Sequence, residues 1–222
     1  MNDPAQTRSF SVADQLREMI LRGDFGPEAR LQEIQLANLM EVSRTPIREA
    51  LRMLAKEGLL DYAPNRGYQV RKFTLDDILA AFRVRAVLEG LGCRLIAETG
   101  ISETLDIELK KALALGDTLI LPGTISDSFF NEWRAMNRDF HVAILMETHN
   151  DLLIRFARDA RTIPIVFNGS FQWYSVDDFR RSNDHHHVIY DAMKQGQGER
   201  ADMFMREHIY HASEIIRKNF KK

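Results

Sequence analysis

Residues 42–52 read VSRTPIREALR, and this stretch decides the fold of the N-terminal part of the chain. Ser43 or Thr45 can cap a helix whose first turn tolerates a proline, because the missing N–H has no partner there. Side chains four residues apart share one helix face. One face therefore carries three arginines and the opposite face is apolar; the two sets are Arg44, Arg48 and Arg52, and Ile47, Leu51 and Leu54. Such a helix suits a major groove, where hydroxyls and guanidinium groups meet phosphates and guanine edges.

The flanking residues extend this helix into a larger motif. Residues 32–40 form a second short helical pattern, joined to the first by the tight turn at residues 41–43. Gly58 ends the arginine helix, and residues 59–62 and 67–70 read as two strands around a hairpin tip at residues 64–67. The hairpin is a wing whose tip can reach a minor groove or a phosphate through Arg66 and Gly67.

Residues of about 10–72, and above all VSRTPIREALRMLAKEGLL followed by PNRGYQV, resemble the winged helix-turn-helix of the GntR family of bacterial transcription regulators. The resemblance implies binding of double-stranded DNA. The candidate DNA contacts are Ser43, Arg44, Thr45, Arg48, Arg52, Arg66 and Gly67. Two departures are visible: Gly26-Pro27 replaces the more usual Pro-Gly order, and Ile34 stands where some members carry a DNA-contacting arginine. The alternative for the arginines alone is a solvated helix face.

Charge is unevenly distributed along the chain. The 222 residues carry a net charge of −2, which alone argues against a nucleic-acid binder. Residues 42–72, however, hold seven Lys/Arg against three Asp/Glu, whereas residues 73–222 hold 19 against 22. The positive charge lies on the expected DNA-binding face, and all seven histidines lie beyond residue 140. This division predicts two domains with different tasks, residues 1–72 and 73–222.

Composition predicts a cytoplasmic protein. No run of about 18 apolar residues is present, so we expect no membrane span. The start of the chain lacks a basic segment followed by an apolar one, so we expect no secretion signal. Cys93 is the single cysteine and falls within a helical pattern. It cannot form an internal disulfide and is expected to be a small core residue in a reducing compartment.

Every strong period after residue 74 is helical. The pattern predicts a first helix at residues 11–22 and six C-terminal helices at about 74–99, 102–116, 128–148, 150–167, 178–195 and 198–220. Gly100, Gly116 and Gly196 are interpreted as helix stops, and Ser102 as an N-cap. The predicted fold is mainly α: an N-terminal winged helix-turn-helix plus a C-terminal all-α helical bundle.

The C-terminal part resembles the FCD ligand-binding domain of the FadR subfamily. The resemblance rests on RAVLE at residues 85–89, NRDFH at residues 137–141, and the spacing of His186 and His208. Six helices rather than seven are typical of the VanR-like members. The resemblance implies a homodimer with a pseudo-palindromic operator, and a divalent metal that helps to hold a small carboxylate effector.

The histidine spacing itself predicts a metal site. Asn137 and His141 are four residues apart and share a helix face. His186 and His208 lie 22 residues apart on two successive helices, nearly equidistant from the hairpin at residues 196–198. Three imidazoles and one oxygen ligand inside a bundle suit Zn²⁺, with Ni²⁺ and similar metals as alternatives. The alternative is that these are hydrogen-bonded core histidines.

Asn137 stands where the family commonly has aspartate. A neutral amide oxygen is a weaker donor, yet it leaves the loaded site with one more positive charge to attract an anion. Arg85, by resemblance, and Arg134, by helix geometry, are the candidate effector-binding residues. Of the other histidines, His185 and His187 are expected at the surface or beside the metal ligands, and His149 and His211 at the surface.

Three functions are compatible with these residues. The first is a dimeric transcription regulator controlled by a small organic acid. The second is a metal-responsive regulator in which the divalent metal itself is the signal. The third is a metalloenzyme with a DNA-binding head, since three histidines on an open metal can activate water. No HExxH or comparable pairing places a general base beside the ligands, so we expect no enzyme activity.

Overall fold

The computed structural model describes residues 4–64, 67–121, 123–126, 128–161 and 171–220. These residues form two compact units that divide after Thr74. The N-terminal unit contains three helices, α1 (Pro4–Arg22), α2 (Glu33–Leu39) and α3 (Arg44–Lys56), and three strands, β1 (Arg30–Leu31), β2 (Leu60–Ala63) and β3 (Gly67–Val70).

The strands of the N-terminal unit form a small antiparallel sheet in the order β1-β3-β2. Leu60 pairs with Val70 and Ala63 with Gly67, which sets the register of the β2–β3 hairpin. The predicted hairpin is therefore confirmed, shifted by one residue in its first strand. Residues 65 and 66 lie outside the described part of the chain, so the tip position of Arg66 stays a prediction.

The core of the N-terminal unit is built on the apolar face of α3. Ile47, Leu51 and Leu54 are completely buried, as their helical spacing predicted. They pack with Leu16 and Ile20 of α1, whose helix begins before the expected residue 11. The helix pair α2–α3 and the hairpin together form a winged helix-turn-helix.

The C-terminal unit contains six α-helices among its described residues. They are α4 (Leu75–Thr99), α5 (Glu103–Ile120), α6 (Phe129–Glu147), α7 (Asp151–Ala160), α8 (Val176–Lys194) and α9 (Gly198–Asn219). A 3-10 turn at Phe171–Trp173 precedes α8. Helix α4 is central, because it packs against α6, α7, α8 and α9. Cys93 of this helix is fully buried, as predicted.

Helix termini follow the expected chemistry in most places. The Ser102 side chain accepts a hydrogen bond from the Leu105 N–H, which confirms its role as an N-cap. Gly100 and Gly196 have positive φ angles of 90° and 70° where α4 and α8 have ended. Ser43 occupies the N-cap position of α3, but its side chain makes no capping hydrogen bond, contrary to one of our expectations.

The prediction that Gly116 stops α5 is wrong, since the helix continues to Ile120. A Cβ added at Gly116 would overlap the side-chain oxygen of Asn183, a buried residue of α8. Glycine is required here because the two helices approach closely, and a helix-interior glycine often has such a packing reason. The predicted helix at residues 150–167 is described only as Asp151–Ala160, and residues 162–170 lie outside the described residues.

Candidate DNA-binding surface and candidate metal centre

Helix α3 presents its three arginines to solvent. Arg44, Arg48 and Arg52 are all exposed, on the side opposite the buried residues. Ser43 and Thr45 are also exposed at the start of the helix, and Gly67 begins β3 in the wing. The structure thus places the described candidates on the surface that the sequence predicted, and their contacts with DNA stay predictions.

Glu33 of α2 holds two of these arginines, a contact that the sequence analysis missed. The Arg48 Nε and Nη2 atoms donate to its two carboxylate oxygens, each at 2.9 Å, and Arg44 Nη2 donates at 3.0 Å. The two hydrogen bonds from Arg48, and then the one from Arg44, lower the pKa of Glu33 to about 2. This carboxylate therefore stays ionised and fixes the guanidinium of Arg48 in a bidentate geometry.

The second site is a cluster of three buried histidines in the C-terminal unit. His141 of α6, His186 of α8 and His208 of α9 place ring nitrogens within 4.8 Å of one another. The His141 and His208 Nε2 atoms are 3.1 Å apart. The helix hairpin α8–α9 brings the second and third histidines together, as their spacing predicted.

Glu89 of α4 orients this cluster. The carboxylate can only accept, so the His141 Nδ1–H donates to Glu89 Oε2 across 2.6 Å. The His141 Nε2 lone pair is then directed at the other two rings when the imidazole is neutral. Metal-ligating histidines characteristically donate their second N–H to a carboxylate in this way.

Two guanidinium groups hold Glu89 in turn. Arg85 Nε donates to Oε1 at 2.9 Å, and Arg161, just after α7, donates to both oxygens at 3.1 and 2.6 Å. Burial opposes the charge of Glu89, but Arg161, Arg85 and His141 together hold its pKa well below the usual carboxyl value. Arg85 thus lies next to the histidine centre, and the effector-binding role that the resemblance implied for it stays a prediction. Glu89 and Arg161 were not predicted.

Burial keeps the three imidazoles neutral. It lowers the pKa of His186 and His208 well below the ordinary value, and lowers that of His141 against the opposing attraction of Glu89. Neutral imidazole is the form that ligates a metal. Among the described residues, neither ring nitrogen of His186 has a hydrogen-bond partner, and neither does His208 Nδ1. Buried polar atoms are normally satisfied, so these nitrogens suit a cation.

The other candidate site residues lie outside the three-histidine cluster. Asn137 is half-buried on α6, one turn before His141, and its role as a ligand stays a prediction. Arg134 is half-buried and donates to Asn131 of its own helix at 3.1 Å. Its effector-binding role likewise stays a prediction. His211, expected at the surface, is half-buried. His185, expected at the surface or beside the metal ligands, is also half-buried and packs against His208.

An open groove of about 650 Å³ lies between α5 and α6 and includes none of the three histidines. Its lining carries three carboxylates, Glu108, Asp139 and Glu147, with Lys111 as the one lysine. This charge balance disfavours an anionic ligand. The histidine centre, where two arginines surround one carboxylate, has the opposite preference.

Comparison with known proteins assigns each of the two units to a known domain family. Residues 9–70 match the family model of bacterial regulatory proteins of the gntR family, and residues 80–211 match that of the FCD domain. The chain is 29% identical to the HTH-type transcriptional regulator YdhC of Bacillus subtilis over 207 residues, covering 92% of this chain and 88% of that one. It is 26% identical to the HTH-type transcriptional repressor GlaR of Escherichia coli over 206 residues, covering 90% and 92%.

Among solved structures, E. coli McbR/YncC shares the fold with a TM-score of 0.81 at 21% identity, over the full length of both chains. The chain therefore belongs to the GntR family of transcriptional regulators, in the group that carries an FCD domain. It is a DNA-binding transcriptional regulator and not an enzyme. No helix in the described part of the chain is long and apolar enough to cross a membrane.

Proposed function

We propose that a small carboxylate effector controls the operator binding of this regulator from a metal-containing centre in the C-terminal unit. The observation that carries the proposal is the contact from His141 to Glu89, which turns the Nε2 atom of His141 toward His208 Nε2, 3.1 Å away, and toward His186, whose two ring nitrogens have no partner among the described residues. His141, His186 and His208 would hold the metal, with Asn137 as a candidate oxygen ligand. Three histidines suit Zn²⁺, and Ni²⁺ is an alternative.

Charge supports an anionic effector. Arg85 and Arg161 carry two positive charges against the single negative charge of Glu89. A bound divalent metal would add positive charge and offer a coordination position to a carboxylate oxygen. An excess of buried positive charge is costly unless an anion balances it. An effector carboxylate is the simplest such anion.

A homodimer would read a pseudo-palindromic operator, with α3 of each copy in one half-site. Apolar side chains that remain exposed on α4 and α7 support a self-associating face. They are Val84, Val87 and Leu91 on α4, and Leu152 and Phe156 on α7. The two helices pack against each other, and Leu88 of α4 is partly buried against the small cluster that contains Leu153 of α7.

The dimer is tested by sedimentation velocity. We expect Phe156→Asp to shift the protein from dimer to monomer and to weaken operator binding, because a charge enters an apolar interface. Ile107→Asp, at an exposed apolar residue of α5, is the matched control and should stay dimeric. A Phe156→Asp protein that remains dimeric would remove this face from the proposal.

The effector would act by shifting the population of DNA-competent dimers, since a ligand changes an equilibrium only through different affinities for two states. GlaR is named a repressor. By similarity we propose that this chain represses transcription and that effector binding relieves the repression.

The central experiment is a thermal-shift panel of small carboxylic acids on tag-free protein, with and without prior chelation. We expect one acid to stabilise the C-terminal unit and the effect to be lost on chelation. Stabilisation that survives chelation would assign the acid to the arginines alone. No stabilisation by any acid would contradict the effector proposal.

In the second candidate function the divalent metal itself is the signal. The unsatisfied nitrogens of His186 support this function as much as they support the carboxylate effector. Operator affinity measured against free Zn²⁺, with no organic acid present, separates the two. A change of affinity with metal alone, abolished in His186→Gln and retained in the exposed control His187→Gln, would establish metal sensing.

A further inference from the structure

Two further histidines lie beside the buried three and have no role in the proposed function. His185 of α8 and His211 of α9 have ring centroids 5.9 Å apart. The His185 ring is also 5.9 Å from that of His208, whereas His211 is nearer the surface, with 14% of its side chain exposed. The pair therefore forms an outward extension of the histidine cluster.

A carboxylate completes this extension. Asp178 and His185 are seven residues apart on α8, which places both on one helix face. Asp178 Oδ1 lies 3.7 Å from His211 Nε2, too far for a hydrogen bond. The other oxygen, Oδ2, accepts hydrogen bonds from the Ser175 N–H and hydroxyl, a capping box that fixes the carboxylate with Oδ1 toward the histidine.

The ring nitrogens of this group are unsatisfied. Within the part of the chain that the structure describes, His185 Nδ1 and His211 Nε2 are buried without a hydrogen-bond partner. Each nitrogen can present a lone pair to a cation instead. Two imidazoles on one tetrahedral metal have ring centroids about 5 Å apart, given metal–nitrogen bonds of about 2.1 Å. The observed distance between the two ring centroids is 5.9 Å, and the ligand atoms of His185, His211 and Asp178 are not gathered within 4.8 Å of one another as those of the buried centre are, so metal binding requires these side chains to move together.

We propose that His185, His211 and Asp178 form a second site for a divalent transition metal, shallower than the buried centre and built from different ligands. Two imidazoles and a carboxylate are a common ligand set for Zn²⁺ and Co²⁺. The side chains of His211 and Asp178 are 14% and 28% exposed, so this site lies nearer the surface than the buried centre. The nearby cation Arg181 is paired with Glu207 at 3.6 Å, which reduces its repulsion of a metal.

Titration of the metal-stripped full-length chain with Co²⁺ tests this proposal. Absorption spectra and equilibrium dialysis give the number of ions per chain and the ligand environment. We expect two equivalents for the wild type. His211→Ala and His185→Ala should each weaken one equivalent on the order of tenfold or more and leave the other unchanged. His187→Ala, at an exposed histidine of the same helix, is the matched control and should keep both.

The outcome separates this site from the buried centre. A single equivalent that is lost in His186→Ala but kept in His211→Ala and His185→Ala would overturn the second site and leave the proposed function intact. A single equivalent with the reverse pattern would support the second site and contradict the buried one. Two equivalents that both survive His211→Ala and His185→Ala would also overturn the proposal. Circular dichroism of each variant confirms that it is folded.

Discussion

Glu33 connects the two helices of the DNA-binding unit through Arg44 and Arg48. A carboxylate on a surface that meets phosphates costs non-specific affinity, because it repels the DNA backbone. It also holds the guanidinium group of Arg48 in one orientation before DNA binds. The entropy lost when Arg48 makes a bidentate contact with a base is therefore smaller. We therefore expect Glu33 to lower the affinity for DNA of any sequence and to raise the preference for the operator.

Glu33→Gln tests this role. We expect it to raise affinity for random DNA and to reduce the ratio of operator to random binding, measured by fluorescence anisotropy with an operator selected by the wild-type protein. Glu49→Gln is the control, since it removes the same charge from the same helix pair but has a single contact with Arg52 at 3.2 Å. Equal effects of the two substitutions would show that only net charge matters.

Arg48→Ala tests whether the arginine that Glu33 orients contacts a base or a phosphate. If Arg48 contacts a base, we expect a loss of roughly 5- to 150-fold in operator affinity together with relaxed sequence preference. Lys56→Ala, at an exposed residue near the end of α3, is the control. A uniform loss on operator and random DNA would instead make Arg48 a phosphate contact. Unchanged binding would remove it from the DNA-binding surface.

At the scale of elements, the close approach of α5 and α8 depends on Gly116. Replacing an exposed helix glycine with alanine normally stabilises by about 0.5–1 kcal/mol. Here the new methyl group would displace Asn183, which donates to Asp117 at 2.6 Å and lies one turn before His186. We therefore expect Gly116→Ala to destabilise the C-terminal unit by about 1–3 kcal/mol.

Urea unfolding followed by tryptophan fluorescence measures this effect selectively, because Trp133 and Trp173 are the only tryptophans and both lie in the C-terminal unit. In an Asn183→Ala background the overlap is gone, so Gly116→Ala should become neutral or stabilising there. A Gly116→Ala protein as stable as the wild type would contradict the packing argument.

The helices were predictable, because apolar residues repeat with the helical period over long stretches. The reason for Gly116 was not predictable, since a glycine in a sequence does not reveal which side chain opposes it. Glu89 illustrates the same difficulty at the site. Its position four residues after Arg85 resembles an ordinary surface ion pair, and its other partners, His141 and Arg161, are 52 and 72 residues away. The signal that could have identified Glu89 is a lone acid within an otherwise apolar stretch.

At the scale of the whole molecule, the buried histidines make the metal-free protein sensitive to acid. Histidines in the unfolded chain titrate near pH 6.5. Burial holds the pKa of His186 and His208 well below that value in the folded state. Below about pH 6.5 the unfolded chain therefore binds protons that the folded chain does not, and the free energy of unfolding falls as the pH falls.

Each such histidine changes the free energy of unfolding by up to about 1.4 kcal/mol per pH unit in this window. We expect chelated protein to lose stability between pH 7 and pH 5.5, measured by urea unfolding of the tryptophan signal. A stability independent of pH across this range would contradict the neutral, buried state of these imidazoles.

The single cysteine offers a practical consequence. Cys93 is fully buried in the central helix α4, and burial raises the pKa of its thiol well above the ordinary value. Alkylating reagents attack the thiolate of an accessible cysteine, so the native protein should resist modification. The rate at which Cys93 is alkylated, measured by pulsed labelling and mass spectrometry, would therefore report how often the C-terminal unit opens. The same inertness lets a dye be attached at an engineered surface cysteine without removing the native one.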